Sequence, residues 1–340
     1  MRRFFQQRCP IVSYHAVWRE GDPRLALFGG VSLDALAQDL RLLARMFDFA
    51  SLAEMLAAGA DSAARPRVAV TFDDGFDLIA GGAADVLEKH GVRATVFVNS
   101  DAYRHERVLW QHAFGVVNAL RGEAVFLRAF NAAQARRRLG PDIAAFGDYI
   151  GATKSWPQGH IDPVTDEVWT HCGMPPMRAF LSEHRPYLDL AALSAWRARG
   201  HEVGFHGKSH RWSRALSAEE VDRQIVAPAR ALKEDLGIDK IAFAYPFGDR
   251  LAPADERALA ASGAFTCLLG MDRLARRGEP LHSIDRVEAD LGLVRHVYGR
   301  PLIRALRRQD LPQQTGAAQK DRADAPFTDR SPISLQPARD

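Results

Sequence analysis

An α/β protein built on a parallel sheet or barrel is predicted from three observations. Short apolar strand candidates alternate with helical periodicities up to about residue 100. The alternation is lost from about 103 to 186, and it returns from 190 to 269. Repeated strand–helix units imply parallel strands, because each intervening helix carries the chain back to the edge where the last strand began. A chain of 340 residues, 47% hydrophobic and 26% charged, can bury a full core, and an α/β barrel of that length is usually one domain.

Each element has its own warrant. Residues 10–15 (PIVSYH) are a short apolar strand, and residues 32–46 place Leu33, Leu36, Leu40 and Leu43 at helical spacing behind Ser32, a good N-cap. A short strand and helix follow over 48–58. Residues 67–72 are a strand, 82–90 a helix and 94–99 a strand. The stretch 104–139 reads as helices rich in Arg and Ala, and 155–177, which carries Pro and Gly, as irregular. Together, residues of about 104–186 form an insertion of the kind that shapes a cleft. A helix at 190–199 ends at Gly200 and leads into a strand at 201–205. Then come helix 217–236, strand 240–245, helix 253–262 and strand 265–269. The expected organisation is a barrel domain over 1–308 carrying that insertion, and a polar, disordered tail over 309–340.

Composition narrows the function classes. The net charge is only +3, and the basic cluster 295–308 holds one aromatic, Tyr298, and one glycine, Gly299, with no aromatic- or glycine-rich element, so it reads as a solvated helix face and no nucleic-acid partner is expected. Cys9, Cys172 and Cys267 are too few and too scattered for a disulfide framework or a cysteine–zinc cluster, and they fit a reducing compartment. Gln6, Gln7, Arg8 and His15 interrupt the start, so it does not read as a signal peptide, and no apolar run is long enough to cross a bilayer. No membrane insertion and a cytoplasmic location are expected. Nothing in the sequence fixes an oligomeric state.

The chemistry concentrates at strand ends, where α/β proteins build their sites. Asp73 and Asp74 follow the 67–72 strand side by side, and adjacent carboxylates repel unless a cation or a base role accounts for them. His206 and His210 follow the 201–205 strand four residues apart, where a tight turn would aim both imidazoles into one space. Two histidines and a carboxylate make an open three-ligand site of catalytic-zinc type, and the same set suits non-haem iron, so residue type leaves the metal open. His171 and Cys172 have no partner at ligand spacing and read as structural. Trp110, Trp156 and Trp169 fit either sugar-stacking residues or buried anchors of the insertion.

TFDDG at 71–75, the H-x-x-S-H form at 206–210 and FAYPFG at 243–248 together resemble the polysaccharide deacetylase (NodB-homology) family of carbohydrate esterases. YHAV at 14–17, VSLDALAQDLRLL at 31–43 and HGVRATVFVN at 90–99 support the resemblance, which covers about residues 10–303 and is weakest over 104–186. It implies a deformed (β/α) barrel with a helical and irregular insertion. It implies a hydrolase that removes acetyl groups, above all N-acetyl, from a carbohydrate or glycan precursor. Its cofactor would be a divalent metal, zinc first, with cobalt, nickel or iron as alternatives. Asp74, His206 and His210 would be the metal ligands and Asp73 the general base, with oxyanion support from a backbone N–H of the Tyr245–Phe247 turn. The partner would be an acetylated saccharide.

Two departures mark this chain. Many relatives open the third motif with an Arg that braces the catalytic carboxylate, and Ala244 stands there, as in a subset of the family; Arg286 is a candidate to approach the site instead. The usual late leucine–histidine motif is indistinct: His282 is the nearest candidate for the general acid, His15 is a further candidate for the site, and Asp73 could itself return the proton. The departures motivate a second reading, a catalytically silent sugar-binding protein on the same barrel. An iron oxygenase ranks below both, since its ligand order is normally H-x-[DE] then H.

Overall fold

A computed structural model describes residues 10–57, 65–271, 275, 280 and 284–289. Among the described residues nine parallel strand segments form the main sheet, eight of them on one path: β1 (Ile11–Tyr14), β2 (Arg67–Phe72), β3 (Thr95–Val98), β4 (Glu202–Phe205), β5 (Phe243–Ala244), β6 (Leu268–Gly270), β7 (Ile284–Asp285) and β8 (Val287–Glu288), with Asp48–Phe49 paired off that path to β2. Their order is β7-β6-β5-β4-β3-β2-β1-β8. The two edge segments are separated along the chain by Arg286 alone. The last strand therefore pairs with β6 through Ile284 and Asp285, crosses at Arg286, and pairs with β1 through Val287 and Glu288. That crossing nearly closes the sheet into the deformed barrel.

The strands are mostly buried, largely apolar runs without strict alternation, as expected where both faces are covered. β2 (RVAVTF) is buried at every position after Arg67. Ile11, Ala69, Phe97, Ala244, Leu269 and Ile284 cluster on one face of the sheet and fill the interior. The alternate residues Val12, Val70, Val96, Val98, Phe243 and Leu268 meet the surrounding helices. Among those helices, α1 (Leu33–Ala44) begins where Ser32 Oγ accepts the Ala35 N–H at 3.1 Å, and it buries Leu36, Leu40 and Leu43. α2 (Gly82–Lys89) follows β2.

The inserted region is more regular than the sequence suggests. After β3 come α3 (Trp110–Arg121), α4 (Glu123–Arg136) and α5 (Ile161–His171). α5 lies within the stretch expected to be irregular, and it corrects that reading. Pro163 occupies its first turn, where no helical N–H is lost, and Ile161, Val164, Thr165, Val168 and Trp169 form its buried stripe. Phe114, Phe126, Phe130 and Tyr149 pack edge to face at the centre of these helices, with centroids 5.4–6.2 Å apart, and Trp156 stacks on Phe130 at 5.4 Å. Trp110, Trp156 and Trp169 are all buried, which makes them anchors and excludes a sugar-stacking role for their rings. The chain then returns over the barrel mouth. Leu188 N–H donates to Gly75 O and Asp77 N–H to Pro186 O, both at 2.8 Å, before α6 (Leu190–Ala198) leads into β4. α7 (Ala227–Leu236) and α8 (Pro253–Ala261) complete the outer layer.

Candidate active site

Several strand ends at the mouth deliver parts of one buried cluster. β2 runs out at Asp73 and Asp74, 3% and 2% exposed. Asp73 N–H still pairs with Tyr14 O at 2.8 Å, and the chain then turns sharply, with Asp74 at φ 65° and Gly75 at φ 67°. A side chain at Gly75 would meet Val98 Cγ1 at 2.8 Å, so position 75 requires glycine on both counts. β4 runs out at His206, and His210 follows at φ 55°. Asn99, at the end of β3, holds that turn by donating to the carbonyls of His206 at 2.6 Å and Gly207 at 3.2 Å. Phe247, after β5, also has positive φ, at 56°. Three non-glycine residues in the left-handed region around one cluster is the pattern of strain held at functional sites.

The imidazoles are oriented for ligation. His206 Nδ1–H donates to Ala244 O at 2.7 Å, which leaves Nε2 as a lone-pair donor 3.9 Å from Asp74 Oδ1 and 3.7 Å from Asp73 Oδ2. His210 Nε2 lies 3.5 Å from the same Asp74 Oδ1. One ligand atom from each of Asp74, His206 and His210 lies within 4.8 Å of the others, and Asp74 Oδ1 is buried without a hydrogen-bond partner. A carboxylate oxygen and imidazole nitrogens converging on one point, with that oxygen unpaired, fit a divalent cation of the zinc type. Protonation states agree. Burial lowers both imidazoles, His210 to about 3, so they are neutral near pH 7. Burial alone would raise the Asp74 carboxyl, but His210 and His112 reverse this and hold it well below the usual range. Neutral imidazoles and an ionised carboxylate are the forms that bind metal.

Arg286 supplies the brace that Ala244 cannot. Fully buried at the strand crossing, it grips Asp73 with both ends of its guanidinium: Nη1 to Oδ1 at 2.7 Å and Nη2 to Oδ2 at 2.9 Å. The same Nη1 reaches Ser13 Oγ and Thr71 Oγ1 at 3.2 Å, and the group lies over the Phe97 ring at 4.9 Å. Burial pushes the Asp73 carboxyl up, and Arg286 followed by His206 more than offsets it, so the net shift is downward and Asp73 is ionised. His15, half-buried after β1, lies close enough that its charge would act on both Asp73 and His210.

The Tyr245–Phe247 turn needs a correction. Tyr245 N–H is spent on Leu269 O at 2.9 Å and its side chain is fully buried, so it has no free amide to offer. Proline at 246 has none, and Phe247 is left as the one oxyanion candidate in the turn. The Phe247 ring is 36% exposed, stacks on Trp212 at 4.0 Å and meets His210 edge-on at 4.5 Å. His282 lies outside the described residues, as do the 295–308 basic cluster and the 309–340 tail. Among the described residues, His171 and Cys172 join no metal-holding group.

Sequence reasoning missed the contribution of α3. His112 Nε2 lies 3.1 Å from Asp74 Oδ2, and its Nδ1 lies 2.7 Å from Tyr187 Oη. Trp110 Nε1–H donates to His210 O at 2.7 Å. No motif spacing links 110–112 to 74 or 210; only the inserted fold brings them together.

The molecule is thus a nearly closed parallel barrel with a candidate metal centre at its carboxyl-end mouth. The family model for polysaccharide deacetylase matches residues 60–119 and 176–264 and skips the middle of the inserted helices. The chain thus carries a match to a polysaccharide deacetylase domain. Among solved structures, it is similar to the Streptococcus pyogenes deacetylase PplD in complex with acetate, at 16% identity and TM-score 0.53, over 83% of this chain and 92% of that one. It is also similar to IcaB from Ammonifex degensii, at 19% identity and TM-score 0.51, over 86% and 96%. At such identities the likeness establishes the barrel fold. No curated protein sequence matches the chain.

Proposed function

We propose that this chain is a metal-dependent carbohydrate deacetylase that hydrolyses acetyl groups, above all N-acetyl, on a saccharide or glycan precursor. The observation that carries the reading is an ionised, Arg-braced carboxylate, Asp73, beside the converging Asp74, His206 and His210. These last three residues would hold a divalent metal, zinc first. Bound there, the metal would acidify a water and polarise the acetyl carbonyl.

The protein's own groups do the rest. Asp73 is the base that takes a proton as water attacks the acetyl carbon, and Arg286 keeps it ionised and aimed. Phe247 N–H is the backbone donor for charge developing on the acetyl oxygen. The departing amine takes its proton from Asp73 or from His282. The partly exposed face of Phe247 beside His210 offers a surface on which a sugar ring could stack, in keeping with a carbohydrate substrate. The match to the polysaccharide deacetylase model supports the same substrate class. The silent binding reading loses one of its two motives, since Arg286 performs the bracing for which Ala244 is unsuited. A cytoplasmic setting belongs to the same reading, with Cys172 and Cys267 as buried free thiols.

The test is acetate release from N- and O-acetylated saccharides, using protein stripped of metal and reloaded with zinc, cobalt, nickel or iron. Metal-dependent release is expected. Asp73→Asn should lose about 10²- to 10⁴-fold in rate while still binding metal. Undiminished turnover in that variant would remove Asp73 as the base, and no release with any metal from protein that binds one would favour the silent reading.

A further inference from the structure

We propose that the first turn of α3 is the outer shell of the candidate metal centre, with Trp110 and His112 as positioning residues that fix two of its three ligands. The inference rests on the reading of Asp74, His206 and His210 as ligands.

Proton bookkeeping along the His112 chain gives it a direction. Asp74, as a ligand carboxylate, can only accept, so the 3.1 Å contact requires a proton on His112 Nε2. Nδ1 is then the lone-pair side, and across 2.7 Å it accepts from the Tyr187 hydroxyl. That hydroxyl keeps its proton, because burial raises it well above its ordinary range, and its oxygen accepts the Leu109 N–H at 3.2 Å. The sequence Leu109 N–H, Tyr187 O–H, His112 Nε2–H and Asp74 Oδ2 satisfies every donor and acceptor it passes.

The result is a choice between the two oxygens of Asp74. Oδ2 is occupied by His112, whereas Oδ1, buried and unpaired, faces both ligand imidazoles. His112 thereby makes Asp74 a one-oxygen ligand. Its ring cannot swing away, because it lies 4.9 Å from Phe76 and stacks on Tyr187 at 5.8 Å and 26°. On the same turn, Trp110 ties down the carbonyl of His210, whose backbone sits in the left-handed region and needs outside support. One turn of an inserted helix thus grips ligands from two different barrel strands. Partners of this kind orient metal ligands, and their loss typically costs 10- to 100-fold in metal affinity.

The test measures metal affinity directly. Full-length protein is stripped with a chelator and titrated with cobalt(II), reading the visible absorption of the bound ion, and zinc affinity follows from competition with a chelating dye. His112→Phe should bind both ions about 10- to 100-fold more weakly and shift the cobalt spectrum, because Asp74 is free to offer both oxygens. His112→Gln, which places an amide N–H near the same point, should recover most of the loss. Tyr187→Phe and Trp110→Phe should each lose about 10-fold. They carry the test if near-ultraviolet circular dichroism shows His112→Phe to be misfolded.

Native affinity and an unchanged spectrum in folded His112→Phe overturn the proposal, as does native affinity in both Tyr187→Phe and Trp110→Phe. Wild-type protein that binds neither ion overturns the metal reading as well, so the two failures are told apart by the wild-type titration alone.

Discussion

In the barrel, Asp73, Asp74 and His206 leave the ends of β2 and β4, on either side of β3, and converge because a sheet that curls shut gives them one mouth to enter. In the inserted helices, Trp110 and His112 reach the same place only because an aromatic core built from Phe114, Phe126, Phe130 and Tyr149 holds α3 across that mouth. Placement by the barrel is dictated by the backbone ladder. Placement by the insertion depends on side-chain packing, which can be loosened without touching a strand. The site should therefore fail in two distinct ways, depending on which region is damaged.

The largest effect is expected on the barrel side. Arg286→Met leaves Asp73 buried without its partner and should cost about 3–5 kcal/mol in urea unfolding, and it should abolish acetate release. Stability within about 1 kcal/mol of wild type would show that the crossing strand does not depend on the pair.

A somewhat smaller effect is expected on the insertion side. Phe114→Ala should cost about 3 kcal/mol and weaken metal binding through α3 while the barrel strands stay intact. If helix and barrel signals then melt in separate transitions, the inserted helices fold as an independent unit and the contrast drawn here becomes a domain boundary. One shared transition keeps them a single cooperative body.

The smallest effect separates the two ends of β4. His206 stands at the mouth, but His201 sits at the opposite end, 5% exposed, stacked on Trp196 at 3.9 Å and accepting the Ala94 N–H at 3.1 Å. Burial lowers it from 6.5 to about 4. The unfolded chain therefore binds a proton between pH 6.5 and 4 that the folded chain refuses, so stability must fall as pH drops through that window. Between pH 7 and pH 4.5 the contribution is about 2 kcal/mol. His201→Asn keeps an acceptor for Ala94 and removes the titration. The difference between its unfolding free energy and that of wild type should change by about this amount from pH 7 to pH 4.5. A constant difference would mean that His201 titrates alike in the folded and unfolded chains and would remove the shift.

How much of this was legible follows the same division. Asp73–Asp74 and His206–His210 were readable because each pair is contiguous or nearly so and follows an apolar strand, where position along the chain nearly fixes position in space. Arg286 was readable only as a substitute for the residue absent at 244; its two-pronged grip depends on the strand crossing, which no local pattern announces. α5 was misread because proline at 163 and glycine at 159 outweighed a buried stripe that was present in the sequence. His112 and Tyr187 left no signal. Their pairing depends on how α3 and the returning segment at 185–189 pack over Phe76, and single-sequence periodicity carries no information on that.

The crossing at Arg286 also has a bearing on timing. The residue that grips Asp73 lies on the last described strand of the barrel, so during synthesis Asp73 emerges from the ribosome long before its partner does. A nascent chain that stalls before residue 284 holds Asp73, Asp74, His206 and His210 but neither a joined sheet nor a braced carboxylate. Turnover becomes a readout of barrel completion, and a truncated product is silenced by the same missing strand that leaves its sheet open.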